Sequence, residues 1–200
     1  MAQGFTVWIS GLPGSGKTTL ARNLEERLLE RGLNAERLDG GEIRAAWLPA
    51  LGYSAKEREG FIRLLGHVCH LLTRNGVIAI CASVSPYQEL RNELRAEIGR
   101  FVEVYLKCPL VLCEQRDTNG LYEKARSGAI KGVTGVSAPY EEPTNPEVLL
   151  ETDKESPEAC CEKVLRTLEI LGFIAEVERQ DYSAEDEAKI SKRLKDLVYL

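Results

Sequence analysis

The strongest constraint on this chain lies near its start, where the apolar run Phe5–Ser10 passes directly into Gly11-Leu-Pro-Gly-Ser-Gly-Lys-Thr-Thr19. Gly11, four residues and then Gly16-Lys17-Thr18 form the G-x-x-x-x-G-K-[ST] pattern. In it backbone N–H groups wrap an anion, the lysine reaches the outer phosphates and the Ser/Thr hydroxyl faces Mg²⁺. Gly11, Gly14 and Gly16 let the chain take positive φ and approach the phosphate closely. A helix starting near Lys17 turns its positive end toward the same anion. The segment from Gly11 to Thr19, including Ser15 and Thr19 in the first helical turn, is therefore expected to hold a nucleotide's phosphates. A strand before and a helix after supply the context that this motif requires.

The rest of the chain alternates β-rich apolar segments with stretches of helical period, the pattern of βαβ units around a parallel sheet. Strands are expected at Phe5–Ser10, Ala35–Asp39, Val77–Ala82, Phe101–Leu106 and Val148–Glu151, and helices near Lys17–Arg31, Ala55–Arg74, Gln88–Ile98, Val111–Asp117 and Pro157–Leu171. Ser54-Ala-Lys-Glu57 reads as a capping box, and Phe61, Leu64, Leu65, Val68, Leu71 and Leu72 as the apolar stripe of the helix it opens. Ser156-Pro157 starts the last core helix and Gly172 ends it. Beyond Gly172 the chain turns strongly charged, with a capping pattern at Ser183–Asp186 and Ile190, Leu194, Leu197 and Val198 on one helical side. The expected class is α/β: a three-layer, mostly parallel sheet of about five strands with helices on both faces. One domain over 1–172 is expected, carrying a lid at about 117–136, with a helical extension over 173–200.

Composition narrows the function. With 26 Lys+Arg against 31 Asp+Glu, a net charge of −5 and no basic block, a nucleic-acid partner is not expected. No apolar run approaches the ~20 residues of a membrane span, so a cytoplasmic protein without a membrane partner is expected. Six cysteines with no C-x-x-C pair read as buried thiols. His67-Val-Cys69-His70 reads as ordinary helix surface, because no companion metal ligands accompany it.

In an open parallel sheet ligands bind beyond the carboxyl ends of the strands. Asp39, after the second strand, stands where a carboxylate would help hold Mg²⁺ or take a proton from an attacking hydroxyl; the bland alternative is an Asp-Gly turn. Ser83-Val-Ser85-Pro86-Tyr87 follows the third strand. Arg44 and Arg58 suit an anionic acceptor. The basic, glycine-rich stretch from Arg116 to Gly135 reads as a lid that closes over phosphates.

These residues, in this order, resemble the adenylylsulfate (APS) kinases, whose P-loop fold transfers the γ-phosphoryl of MgATP to the 3′-hydroxyl of adenosine 5′-phosphosulfate. The resemblance runs from about Val7 to Leu171. Besides Gly11–Thr19 it rests on Leu38-Asp39-Gly40, Leu51-Gly-Tyr-Ser54 with Arg58, Ser85-Pro-Tyr87, Cys113-Glu-Gln-Arg-Asp117, Gly120-Leu-Tyr-Glu-Lys-Ala125, Ile130-Lys-Gly132 and Pro139-Tyr-Glu-Glu-Pro143. It implies that Lys17, Thr18 and Arg116 serve ATP, that Thr18 and Asp39 serve Mg²⁺, and that Asp39, Lys17 and Ser85 surround the reacting groups. Arg44, Tyr53, Arg58, Ser85 and Lys131 would hold the acceptor, a small nucleotide, and a homodimer would be the assembly. The chain departs from the family's usual pattern at Gly41 (Asp), Phe61 (Asn), Ser83 (aromatic or large apolar) and Val133 (Phe). A related kinase acting on another anionic acceptor, and a nucleotide-binding module with little chemistry, stay open as alternatives.

Overall fold

The computed structural model describes residues 3–177 and 184–197. Five strands, β1 (Thr6–Gly11), β2 (Ala35–Asp39), β3 (Ile78–Ala82), β4 (Phe101–Lys107) and β5 (Val148–Glu151), form one sheet in the order β2-β3-β1-β4-β5. Every pairing is parallel. β1 is buried along its whole length, and its side chains alternate between the faces. Phe5, Val7 and Ile9 enter a cluster with Leu24 and Leu28 of α1 (Lys17–Glu30) and Val164 and Leu168 of α7 (Pro157–Ile170). Trp8 enters the opposite cluster, with Phe61, Ile62 and Leu65 of α3 (Ala55–Arg74) and Leu90 and Leu94 of α4 (Gln88–Ile98). This is the expected three-layer α/β arrangement. Its chain reverses direction across the sheet at β1, which opens a crevice beyond that strand's carboxyl end.

The local signals act as their chemistry requires. Ser54 caps α3 in a reciprocal box with Glu57, and Ser156 accepts from the Ala159 N–H at 3.2 Å to start α7 with Pro157 in its first turn. The α3 stripe is rotated from the expected one: Leu64 is 49% exposed, while Ile62 and Cys69 are buried. Gly66 sets that rotation, because a Cβ there would run into Leu94 of α4, so the two helices meet at glycine.

Two helices were not expected. α2 (Gly40–Trp47) follows β2 with no intervening loop, and α6 (Leu121–Arg126) lies inside the glycine-rich stretch from Arg116 to Gly135. The helix expected at Val111–Asp117 is α5, Leu110–Gln115. α8 spans Ala184–Asp196; the capping pattern at Ser183 and the apolar residue Val198 lie outside the described residues. From α8, Leu194 is fully buried and the Arg193 guanidinium donates twice to the Pro146 carbonyl, at 2.9 and 2.8 Å. All six cysteines are free and buried. Among the described residues no cluster of three or more His, Cys, Asp or Glu side chains is arranged to hold a metal ion, and no helix is long and apolar enough to cross a membrane.

Candidate active site

The loop between β1 and α1 is built by glycine. Gly14 has φ +76, and a Cβ on it would sit 2.6 Å from the Cys113 carbonyl oxygen, so the loop packs against α5 only without a side chain. Gly16, at φ 100, is the N-cap of α1 and offers no side-chain acceptor to the helix's first N–H groups. Those groups are left for an anion. The Tyr122 hydroxyl of α6 donates to the Pro13 carbonyl at 2.8 Å, fastening α6 to this loop.

Lys17 donates from Nζ to the Leu12 carbonyl at 2.6 Å. Loss of water around the ammonium lowers its pKa from 10.5 to about 8, outweighing the nearby Cys113, Asp39 and Cys108, which act to raise it. One residue on, the Thr18 hydroxyl donates to Asp39 Oδ2 at 2.5 Å. Asp39 is 5% exposed at the end of β2 and is the N-cap of α2. Its Oδ1 accepts from the N–H groups of Gly41 at 2.8 Å and Glu42 at 3.0 Å, so the carboxylate is fixed in orientation with Oδ2 facing the phosphate loop. The Asp-Gly turn alternative therefore gives way to a helix cap aimed at Thr18.

Lys17, Thr18 and Asp39 line a cavity of about 260 Å³ together with Arg44, Tyr53, Arg58 and Ser85. Arg44 donates to the Leu51 and Gly52 carbonyls and lies 4.0 Å above the Tyr53 ring. Arg58 is buried; it donates to Thr134 Oγ1 at 2.9 Å, to the Gly132 carbonyl at 2.5 Å and to the Tyr53 carbonyl at 3.0 Å. That one side chain joins α3, the loop before it and the lid stretch. Ser85 is 1% exposed, with φ 43 in the left-handed region that residues other than glycine rarely enter. Gly41, Phe61, Ser83 and Val133, the four unusual positions, all line this same cavity.

A second cavity, of about 340 Å³, lies across the phosphate loop and is lined by Ser15, Gly16, Thr19 and Arg116 together with Thr152 and Pro157. Arg116 donates to the Thr152 carbonyl at 3.0 Å. The structure thus separates the expected site residues into two groups that meet at the loop. Gly11 and Lys131 join neither: Gly11 is packed against the Leu106 carbonyl, and Lys131 is exposed and does not line the main cavity, whereas its neighbours Val133 and Thr134 do. Sequence reasoning missed Thr134, Leu121 and Pro13 as cavity residues. Leu121 and Thr134 sit within the stretch already read as a lid, and that was the available signal.

Comparison with known proteins places this arrangement. A family model described as adenylylsulphate kinase matches residues 3–151. The adenylyl-sulfate kinase of Picosynechococcus sp. is 51% identical over 172 residues, covering 86% of this chain and 97% of the relative. That of Rippkaea orientalis is 48% identical over 173 residues, covering 86% and 96%. Among solved structures, the Mycobacterium tuberculosis APS kinase in complex with AMPPNP and APS matches with a TM-score of 0.79 at 39% identity, over 84% of this chain and 99% of that one. The chain belongs to the adenylylsulphate kinase family.

Proposed function

We propose that this protein transfers the γ-phosphoryl group of ATP to the 3′-hydroxyl of adenosine 5′-phosphosulfate, releasing ADP and 3′-phosphoadenosine 5′-phosphosulfate. The observation that carries the reading is one cavity lined both by a phosphate grip, Lys17 and Thr18, and by two arginines with Ser85. Phosphoryl transfer needs mainly positioning and neutralisation of charge, which this arrangement supplies. Lys17 and the loop N–H groups hold the outer phosphates, while Ser15, Gly16, Thr19 and Arg116 face the rest of ATP across the loop. Arg44, Arg58 and Tyr53 bind the acceptor; Lys131, exposed outside the cavity, reaches it only if the stretch that carries it closes. Asp39 receives the proton of the attacking hydroxyl. The Thr18 hydroxyl and Asp39 carboxylate, 2.5 Å apart, are the hard oxygen donors that suit Mg²⁺. Held by these two side chains, Mg²⁺ would supply neutralisation of phosphate charge. We further read 1–172 as the kinase domain, 117–136 as its lid and 173–200 as an extension, in a cytoplasmic homodimer; light scattering on the purified chain tests the assembly.

Purified protein with MgATP and APS is expected to release ADP and yield a 3′-phosphorylated product identified by mass. ADP release only with another anionic nucleotide would support the related-kinase reading, which the four unusual cavity residues favour, since a changed pocket changes the acceptor it holds.

The lowered Lys17 pKa gives a pH dependence. Below about pH 8 the ammonium is charged and holds phosphate; above it the free enzyme loses that proton, and binding ATP must restore it. The KM for ATP is expected to be flat from pH 6.5 to 7.5 and to rise above pH 8 by up to about tenfold per unit, one proton being taken up. Lys17→Arg keeps its charge throughout, so its KM, whatever its size, is expected to stay level from pH 7 to 9. A rise of equal slope in the variant would remove Lys17 as the titrating group.

A further inference from the structure

Trp8 lies mid-strand in β1, fully buried, its ring stacked on Phe101 at a centroid distance of 6.0 Å. Hydrophobic packing accounts for the ring but not for its polar edge. Indole Nε1–H donates to Ser85 Oγ at 3.1 Å, a buried bond that ties β1 to the loop after β3. An indole nitrogen can only donate, so Ser85 Oγ is the acceptor and its own proton must point elsewhere. The backbone of Ser85 is held independently: φ is 43, and Arg91 NH1 donates to the Ser85 carbonyl at 2.6 Å. A strained backbone fixed at its carbonyl and a hydroxyl fixed at one lone pair leave the O–H only the two remaining staggered directions, and Ser85 lines the main cavity beside Ser83.

We propose that Trp8 is a positioning residue: its indole N–H holds Ser85 as a hydrogen-bond donor into the cavity, aimed at an anionic oxygen of the acceptor. The inference rests on the acceptor-site reading above and adds to it a residue of the core. Ser85 touches the acceptor, and Trp8 acts only through Ser85.

The test is a double-mutant cycle in the full chain, with APS and ATP varied separately. Trp8→Phe keeps an aromatic ring against Phe101 and deletes the donor; it is expected to lower kcat/KM for APS about three- to tenfold, the size of one hydrogen bond, and to leave the KM for ATP within about twofold. Ser85→Ala is expected to lower kcat/KM for APS at least as much. In the Ser85→Ala background Trp8→Phe should change it less than about twofold. Effects that multiply, or a loss shared equally by ATP and APS, would show that Trp8 matters only for packing and would overturn the proposal.

A second reading does not depend on turnover. The chain has two tryptophans, Trp8 and Trp47, and Trp47 is 80% exposed, so Trp47→Phe leaves the Trp8 indole as the single ¹⁵N–H indole resonance. Adding Ser85→Ala should move that resonance upfield, as loss of an acceptor does; an unmoved resonance overturns the proposal. If wild-type protein phosphorylates a different acceptor, the APS reading fails by itself, and the same cycle measured on that acceptor decides the role of Trp8.

Discussion

Asp39→Asn is expected to lower turnover by roughly 10²- to 10⁴-fold, the range for loss of a positioned proton acceptor, while the KM for ATP changes no more than about threefold. The geometry separates these effects. Asp39 Oδ1 accepts the Gly41 and Glu42 N–H groups that open α2, and an asparagine oxygen accepts them equally well. Oδ2 accepts from Thr18, and there the amide –NH₂ reverses the hydrogen bond, the Thr18 hydroxyl becoming the acceptor. The fold and the phosphate loop survive, but the negative charge does not. Gly41 leaves room for the cap: a Cβ there would lie 3.1 Å from Asp39 Oδ1, the oxygen that the two N–H groups hold. Asp39→Ala serves as the structural control. It removes the cap as well, so its melting temperature should fall by the equivalent of about 1 kcal/mol while Asp39→Asn melts near wild type. Turnover within about threefold of wild type in Asp39→Asn would take Asp39 out of the chemistry.

How far the sequence revealed this structure depended on whether the determining interactions were local. The phosphate loop was legible because its glycines answer a local demand of backbone sterics, and Gly14 sits against the Cys113 carbonyl as that demand requires. The strands were legible because β1, β3 and β4 are buried on both faces and read as apolar runs. α2 was hidden because it opens with Gly40-Gly41, poor helix formers whose start is enforced by the Asp39 side chain. The α3 stripe was misplaced around Leu64 because contact with Leu94 through Gly66, not the period alone, decides which side is buried. Within the site, Arg44, Arg58 and Ser85 could be proposed from their positions after strands and at helix starts. That Arg58 would bind Gly132 and Thr134, more than 70 residues away, could not. Nor could the exposure of Lys131, which depends on how the lid stretch lies.

The least legible feature is a buried ion pair that reaches the cavity through the Ser85 carbonyl, and it supports the largest stability prediction. β4 reads Phe-Val-Glu-Val-Tyr-Leu-Lys, so Glu103 is carried into the core, 2% exposed. A carboxylate there demands a cation. Arg91, fully buried, supplies it from α4 with Nε 2.8 Å from Glu103 Oε1. Arg95 adds a second contact at 3.3 Å and grips Glu147, whose Oε2 in turn accepts from the Glu103 N–H at 2.6 Å. Burial pushes the Glu103 carboxyl above its ordinary value, against the pull of Arg91 and Arg95. Glu103→Leu leaves Arg91 buried without its counter-ion and is expected to cost about 3–5 kcal/mol, on the order of 10 °C in melting temperature for a chain of this size. Glu93→Ala breaks only the exposed Arg63–Glu93 pair and should cost under about 1 kcal/mol. The double variant Arg91→Met with Glu103→Leu removes both charges and is expected to regain a large part of the lost stability. It should not regain activity, because the same guanidinium holds the Ser85 carbonyl at 2.6 Å and the Glu141 carbonyl at 2.7 Å. Thermal unfolding beside kcat/KM for APS in the three proteins checks this: stability and activity recovering together would mean that the buried pair supports only the fold, whereas recovery of stability alone ties it to the strained serine at the cavity wall.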